Sequence, residues 1–203
     1  MFVCKECNLA DVTAKLLAGG VIIFPTETSY GLGCDAANQN AVDRIFEIKN
    51  RPQTKSLLVV VPTVAMAKEY LQWNDLLEQL ANKYWPGQLT VVGEHNPQSN
   101  LAHGVLSPVD TVALRVTGHP IPKYLSGQLG RPLVATSANI SEGGDVYSPE
   151  QIINIFKNQT VQPDIAMDYG ELPKNKPSTI VSVLGNELKI LRQGELLVEL
   201  DEA

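Results

Sequence analysis

Residues 21–33 read VIIFPTETSYGLG, an apolar run followed by hydroxyl groups, a carboxylate and two glycines. The apolar residues 21–24 predict a buried strand that Pro25 closes. The polar segment 25–33 then precedes a helix predicted at residues 41–49. Loops at the carboxyl ends of strands are where open α/β sheets bind ligands. A plain turn formed by proline and glycine explains the same spacing equally well.

Beyond this segment, short apolar runs alternate with segments of helical period. The predicted strands are 57–61, 89–92, 112–116 and 133–136, and the predicted helices are 64–71 and 75–84. Ser148, Pro149 and Gln151 have the spacing of a helix N-cap with a capping box. The polar segment 94–109 is interpreted as a long surface loop. Residues 178–184 and 188–191 are predicted to be two strands of a hairpin, joined at Gly185-Asn186.

The alternation of strands and helices predicts an α/β fold, and the terminal hairpin predicts a mixed sheet. The chain has 203 residues, of which 44 % are apolar and 19 % are charged. This length and composition indicate a single globular domain over residues 1–203. No apolar run of 18 residues and no secretory signal are present, so we expect no membrane span and a cytoplasmic location.

The net charge of −6 gives no general attraction to nucleic acid or to anionic lipid. The chain has three cysteines, Cys4, Cys7 and Cys34, and an odd number argues against a disulfide framework. The Cys4-Cys7 pair has no further ligands at zinc-site spacing. We therefore expect a frayed amino terminus with two ordinary thiols and no protein-bound metal site.

The densest basic cluster lies at residues 49–55, where Lys49, Arg51 and Lys55 follow the predicted helix 41–49. Cations at a helix C-terminus are favoured by the helix dipole, which is the simpler explanation. The functional interpretation is that Arg51 and Lys55 face a polyphosphate, because arginine can bind two oxygens and lysine acts as a point charge.

Further polar residues lie at strand ends, where each also has an ordinary explanation as a turn, a cap or a surface charge. Alternation on the strand 112–116 places Thr111, Ala113 and Arg115 on one face. The other strand-end residues are Thr136, Ser137, Asn139, Ser178, Thr179 and Arg192. Neither standard phosphate loop is present. An enzyme built from these residues would act by positioning and charge neutralisation.

Taken in order, these segments resemble the YrdC-type threonylcarbamoyl-AMP synthases, also called TsaC, in their short single-domain form. The matching motifs are PTETSYGLG (25–33), KNRP with Lys55 (49–55), WPGQLT (85–90), TVALRV (111–116), TSANIS (136–141), PSTIV (177–181) and LRQG (191–194). The resemblance covers the chain from about residue 10 to residue 194, and this range would be the domain core. The resemblance implies a twisted mixed sheet flanked by helices around a concave cavity.

The resemblance also implies a reaction of L-threonine, bicarbonate and ATP that gives threonylcarbamoyl-AMP and pyrophosphate. Mg²⁺ would accompany the ATP, and a tRNA threonylcarbamoyl transferase complex would use the product. The implied L-threonine site is Thr28, Arg115 on the carboxylate, the Ala135 backbone and Ser178. The implied ATP site is Lys49, Arg51, Lys55, Thr111, Ser137, Asn139, Ser148 and Arg192. Arg51 and Lys55 would be the catalytic residues, because they would bind the triphosphate.

Two positions depart from the family pattern. Val60 stands where some members have a histidine that contacts threonine, so the pocket must be completed differently. The segment 142–147 is longer than usual, and Ser148 fits a helix N-cap at least as well as an ATP ligand.

Two alternatives remain on sequence grounds. One is a paralogue that kept the fold, lost the synthase activity and binds RNA. The other is a carbamoyl-phosphate enzyme of related fold, which normally has further domains.

Overall fold

A computed structural model of the chain describes residues 1–140 and 143–199. Ser141, which ends the motif TSANIS, and Glu142, which begins the segment 142–147, lie outside the described residues. Residues 200–203, the end of the acidic tail, also lie outside them.

Each helix begins after a side chain that accepts a hydrogen bond from its first turn, which satisfies one of the free N–H groups there. These N-caps are Asn8, Asn38, Thr63, Asn74, His119 and Ser148. The helices are α1 (Leu9–Leu17), α2 (Gln39–Lys49), α3 (Val64–Tyr70), α4 (Asp75–Tyr84), α5 (Pro120–Leu129) and α6 (Pro149–Phe156). Among the described residues, no helix is long and apolar enough to cross a membrane.

The strands form two sheets rather than the one sheet that was expected. They are β1 (Phe2–Cys4), β2 (Ile22–Pro25), β3 (Tyr30–Gly33), β4 (Val59–Val61), β5 (Leu89–Glu94), β6 (Thr111–Val116), β7 (Leu133–Val134), β8 (Thr136–Ser137), β9 (Ile165–Met167), β10 (Thr179–Leu184) and β11 (Glu187–Arg192). The first sheet has the order β1-β9-β2-β3-β8 and the second has the order β11-β10-β5-β6-β4-β7. Both contain parallel and antiparallel pairs, so the α/β class with mixed sheets is confirmed.

The segment 25–33 is a hairpin rather than a loop that runs directly into a helix. Strand β3 pairs antiparallel with β2, with Pro25 opposite Tyr30 and Ile22 opposite Gly33. The polar residues 26–29 form the turn between the two strands. The turn is therefore anchored on both sides by buried backbone, which fixes the direction of its side chains.

The amino terminus is ordered, so the expectation of a frayed end was wrong. Strand β1 pairs in parallel with β9, with Phe2 opposite Ile165. Cys4 and Cys7 form a disulfide and are not two free thiols. Cys34 is the free cysteine of the described chain, and burial raises its pKa far above the usual value.

The core consists of two apolar clusters. The larger cluster fills the space beneath helices α2, α3, α4 and α6, and the smaller one lies beneath α1 and α5. Full burial of a side chain such as Phe24 contributes roughly 1.5–3 kcal/mol to the stability of the fold.

The segment 94–109 is irregular, as predicted, but it is not only a surface loop. Its residues Leu101, Ala102 and Val105 are buried in the larger cluster.

Candidate active site

A cavity of about 310 Å³ is lined by residues from both sheets. Its lining residues are Thr26, Thr28, Ser29, Tyr30, Gly31, Arg51, Ser56, Leu57, Leu58, Val92, Ala113, Arg115, Ala135, Thr136, Ser137, Asp145, Pro177, Ser178, Ile180 and Arg192. Three guanidinium groups and several hydroxyl groups therefore share one hollow, which suits an anionic ligand.

Two glycines permit the close approaches that shape this hollow. A Cβ at Gly33 would collide with the carbonyl oxygen of Val134, so β3 can pack against β7 of the other sheet. A Cβ at Gly194 would collide with the carbonyl oxygen of Pro177, next to Ser178. The second contact brings the end of β11 against the start of β10, where Arg192 and Ser178 meet.

Arg192 is held against Ser178 by three hydrogen bonds. Its Nε and Nη2 donate to the Ser178 carbonyl oxygen at 3.1 and 2.9 Å, and Nη2 also donates to the hydroxyl at 3.2 Å. Burial lowers the pKa of Arg192, and the charge of Asp145 opposes this shift. The guanidinium is thus fixed at the cavity wall by contacts on one edge.

Arg51 is fixed in a similar way, by the loop that follows α2. Its Nε donates to the Lys55 carbonyl oxygen at 3.2 Å and its Nη2 donates to the Ser56 carbonyl oxygen at 3.1 Å. Burial lowers the pKa of Arg51. The Lys55 side chain is exposed and does not line the cavity, so the two members of the predicted pair occupy different environments.

Arg115 lines the cavity and forms an ion pair with Glu27. Its Nη2 is 3.2 Å from Glu27 Oε2, and the Arg115 side chain is 5 % exposed. Burial lowers the pKa of Arg115, and the Glu27 charge counteracts this effect. Within the described residues, the Nε of Arg115 has no hydrogen-bond partner. A buried guanidinium with a free donor is suited to an anionic ligand group, because an unpaired buried donor costs free energy.

Lys49 does not face the cavity. Its Nζ donates to the carbonyl oxygens of Ser137 and Asn139 at 2.5 and 2.8 Å, and to Asn139 Oδ1 at 2.8 Å. Burial first, and the nearby charge of Arg51 second, lower the pKa of Lys49 to about 7. Lys49 therefore supports the loop that carries Ser137 rather than offering a free ammonium group.

The remaining predicted residues divide into two groups. Thr28, Ala135, Ser137 and Ser178 line the cavity, whereas Thr111, Asn139 and Ser148 do not. The Thr111 hydroxyl is 2.7 Å from that of Ser107. Ser148 caps α6 and completes the predicted capping box with Gln151. The roles assigned to all of these residues stay predictions.

Several lining residues were not predicted from the sequence. Val60 stands where some family members have a histidine, and it is buried in the smaller apolar cluster. Leu58, two positions earlier, lines the cavity. Alternation along the strand gives no signal of this difference, because positions 58 and 60 lie on the same face. Asp145 also lines the cavity, and its sequence neighbours gave no signal of this.

Comparison with known proteins identifies the class to which this fold and cavity belong. The family model described as telomere recombination, which joins the Sua5, YciO and YrdC proteins, matches residues 14–194. The chain belongs to this Sua5/YciO/YrdC family. A threonylcarbamoyl-AMP synthase of Vibrio vulnificus is 35 % identical over 191 residues, which are 92 % of this chain and 98 % of that protein.

Solved structures show the same fold. Sua5 of P. abyssi complexed with L-threonine has a TM-score of 0.84 and 30 % identity, over 96 % of this chain. The chain spans 57 % of that longer protein. YciO of E. coli has a TM-score of 0.81 over 96 % of this chain and 94 % of its own, and at 23 % identity it supports the fold alone.

Proposed function

We propose that the protein is an L-threonylcarbamoyladenylate synthase, a nucleotidyltransferase that uses L-threonine, bicarbonate and ATP. The observation that carries this proposal is that Arg51, Arg115 and Arg192 converge on one cavity from separate elements. The relative from Vibrio vulnificus, named as a threonylcarbamoyl-AMP synthase, supports the reaction. The L-threonine complex of the P. abyssi protein supports the amino-acid substrate.

The reaction proceeds in two chemical steps. The amine of L-threonine adds to carbon dioxide formed from bicarbonate and, after losing a proton, becomes a carbamate. A carbamate oxygen then attacks the α-phosphorus of ATP, the bond to the β-phosphate breaks and pyrophosphate leaves. The two reactants of the second step, the carbamate and ATP, are both anions, so charge repulsion opposes the attack and fixed cations lower this barrier.

The cavity residues divide between the two substrates. Arg51 and Arg192 neutralise the phosphates, and Ser137 also lines the cavity. Arg115 binds the threonine carboxylate, and Thr28 and Ser178 also line the cavity. The N–H of Ala135 already donates to the Leu58 carbonyl oxygen, so the Ala135 carbonyl is the group that accepts the substrate amine.

Mg²⁺ is proposed to enter with ATP. Such ions are usually held by one or two carboxylates together with substrate phosphates, and they neutralise charge on the phosphates. Asp145 supplies a carboxylate to the lining and fits this role. Within residues 1–140 and 143–199, no group of three or more His, Cys, Asp or Glu side chains could hold a metal ion, which is consistent with an ion held largely by the nucleotide.

The product is proposed to pass to a tRNA threonylcarbamoyl transferase complex in the cytoplasm. Weak RNA binding by this chain remains an alternative, and a gel-shift assay across a salt series tests it. Binding that depends steeply on salt would indicate phosphate contacts. The net charge of −6 argues against strong binding.

The test of the proposed function is threonine-dependent release of pyrophosphate from ATP in the presence of bicarbonate. We expect release with L-threonine and bicarbonate, and none when carbamoyl phosphate replaces bicarbonate while ATP is kept. Loss of one charge-stabilising donor commonly lowers the rate by ~10²–10³, so Arg51→Ala should lower turnover at least tenfold while the protein stays folded. No release by the wild-type protein would refute the proposal.

Lys55→Ala is the companion variant. The sequence predicts that it also lowers turnover at least tenfold, since lysine can act as a point charge on the triphosphate. Near-normal rates in both Arg51→Ala and Lys55→Ala would contradict the assignment of the phosphate site.

A further inference from the structure

Glu27 lies in the turn between β2 and β3 and connects it to the turn between β6 and α5. Its Oε1 accepts hydrogen bonds from Thr117 Oγ1 at 2.6 Å, from Gly118 N at 2.8 Å and from His119 N at 3.2 Å. The carbonyl oxygen of Glu27 also accepts a bond from Asn175 Nδ2 at 3.0 Å. One carboxylate oxygen is therefore saturated by donors that come from a single neighbouring turn.

The second carboxylate oxygen has a different environment. Oε2 forms an ion pair with Arg115 Nη2 at 3.2 Å, and within the described chain it accepts no hydrogen bond. The two side chains are 15 % and 5 % exposed. Burial by itself raises the pKa of Glu27, but the Arg115 charge and the hydrogen bonds from Thr117 and Gly118 outweigh it and hold the pKa below its usual value. The carboxylate is thus an anion at neutral pH.

The ion pair with Glu27 occupies one side of the Arg115 guanidinium. Nη2 faces Glu27, while Nε has no partner among the described residues and Arg115 lines the cavity. We propose that Glu27 is a positioning residue, which holds the Arg115 guanidinium so that its free N–H groups receive the carboxylate of the amino-acid substrate. This inference rests on the proposed function and adds the residue that orients the carboxylate binder.

Glu27→Gln gives the sharpest test, because glutamine has nearly the same shape. Its oxygen can keep the three bonds from the β6–α5 turn, but its amide donor then faces the Arg115 donor. We expect the KM for L-threonine to rise at least tenfold, while the KM for ATP stays within twofold. The wild-type preference for L-threonine over L-threoninamide, which lacks the carboxylate, should shrink by a similar factor.

Asp35→Asn is the matched control. Asp35 is also a buried carboxylate paired with an arginine, 2.8 Å from Arg131, but neither residue lines the cavity. This variant should lower the melting temperature and leave the KM for L-threonine unchanged. If Glu27→Gln behaves in the same way, or raises both KM values equally, Glu27 is structural and the inference is overturned.

Thr117→Val decides the matter if Glu27→Gln does not fold. It removes one donor to Glu27 and keeps the ion pair, so the KM for L-threonine should rise about threefold, and an unchanged KM overturns the inference.

Calorimetry with L-threonine alone separates this inference from the proposed reaction. If the wild-type protein binds L-threonine but releases no pyrophosphate, the reaction fails, and weaker binding by Glu27→Gln still supports the positioning role. If the wild-type protein does not bind L-threonine, both fail.

Discussion

Buried charges at three residues have three different tasks in this protein. Arg115 has a donor without a hydrogen-bond partner among the described residues, Glu27 forms an ion pair with Arg115, and Lys49 uses its ammonium group to bind carbonyl oxygens. The acceptors of Lys49 belong to Ser137 and Asn139, so the lysine joins the end of α2 to the loop after β8. In the sequence, all three residues are simply charged residues within motifs.

The role of Lys49 can be tested with Lys49→Met, which keeps the length of the side chain and removes its donors. Buried acceptors left without partners cost about 1–3 kcal/mol. We expect the melting temperature to fall by several degrees, since ~1 kcal/mol corresponds to ~2–4 °C in a protein of this size.

Lys68→Met is the control for that measurement, because Lys68 forms an exposed ion pair with Glu78. Exposed pairs contribute little to stability, so this variant should melt close to the wild type. Equal melting temperatures for Lys49→Met and Lys68→Met would contradict the supporting role of Lys49.

Glu27 should also make stability depend on pH in the acidic range. Its pKa in the folded protein lies below the ordinary value of 4.5, so the unfolded chain binds the proton more readily. The stabilisation is therefore complete above pH 4.5 and is lost as the pH falls through the pKa of the folded protein. We expect the difference in melting temperature between the wild type and Glu27→Gln to narrow from pH 6 to pH 3. A constant difference would show that the Glu27 charge does not stabilise the fold.

At the scale of elements, helix α6 decides between two interpretations of Ser148. Its hydroxyl accepts from Gln151 N at 3.4 Å, and the Gln151 side chain accepts from Ser148 N at 3.1 Å. Loss of such a cap costs about 0.5–2 kcal/mol. We expect Ser148→Ala to lower the melting temperature and to leave the affinity for ATP unchanged, as measured by calorimetry. An affinity at least tenfold weaker, with little loss of stability, would identify Ser148 as an ATP ligand instead.

Elements with strong local signals could be predicted from the sequence, and those made by distant pairing could not. Helix α4 and the hairpin of β10 and β11 have clear periodicity and turn residues, and both are present. Strand β3 was missed because Gly31 and Gly33 resemble turn residues, although they are needed where β3 packs closely. Helix α5 begins with two prolines, which favour a loop until the N-cap His119 is seen. Strands β1 and β9 are three residues each and are defined by their mutual pairing.

At the scale of the whole molecule, the cavity is lined by residues from both sheets. The family resemblance predicted one shared site for Arg51, Arg115, Ser178 and Arg192, and these residues line one cavity although they lie far apart in the sequence. It could not separate Lys49, which supports the wall, from residues that form the wall. That distinction depends on which way a side chain turns at a helix end, and packing rather than composition determines this.

The most direct measurement of the central claim is a crystal structure with L-threonine and a non-hydrolysable ATP analogue bound together. We predict that the threonine carboxylate lies about 3 Å from the guanidinium of Arg115, with the phosphates against Arg51 and Arg192. Ligands bound outside the cavity, or phosphates distant from both of these arginines, would contradict the account.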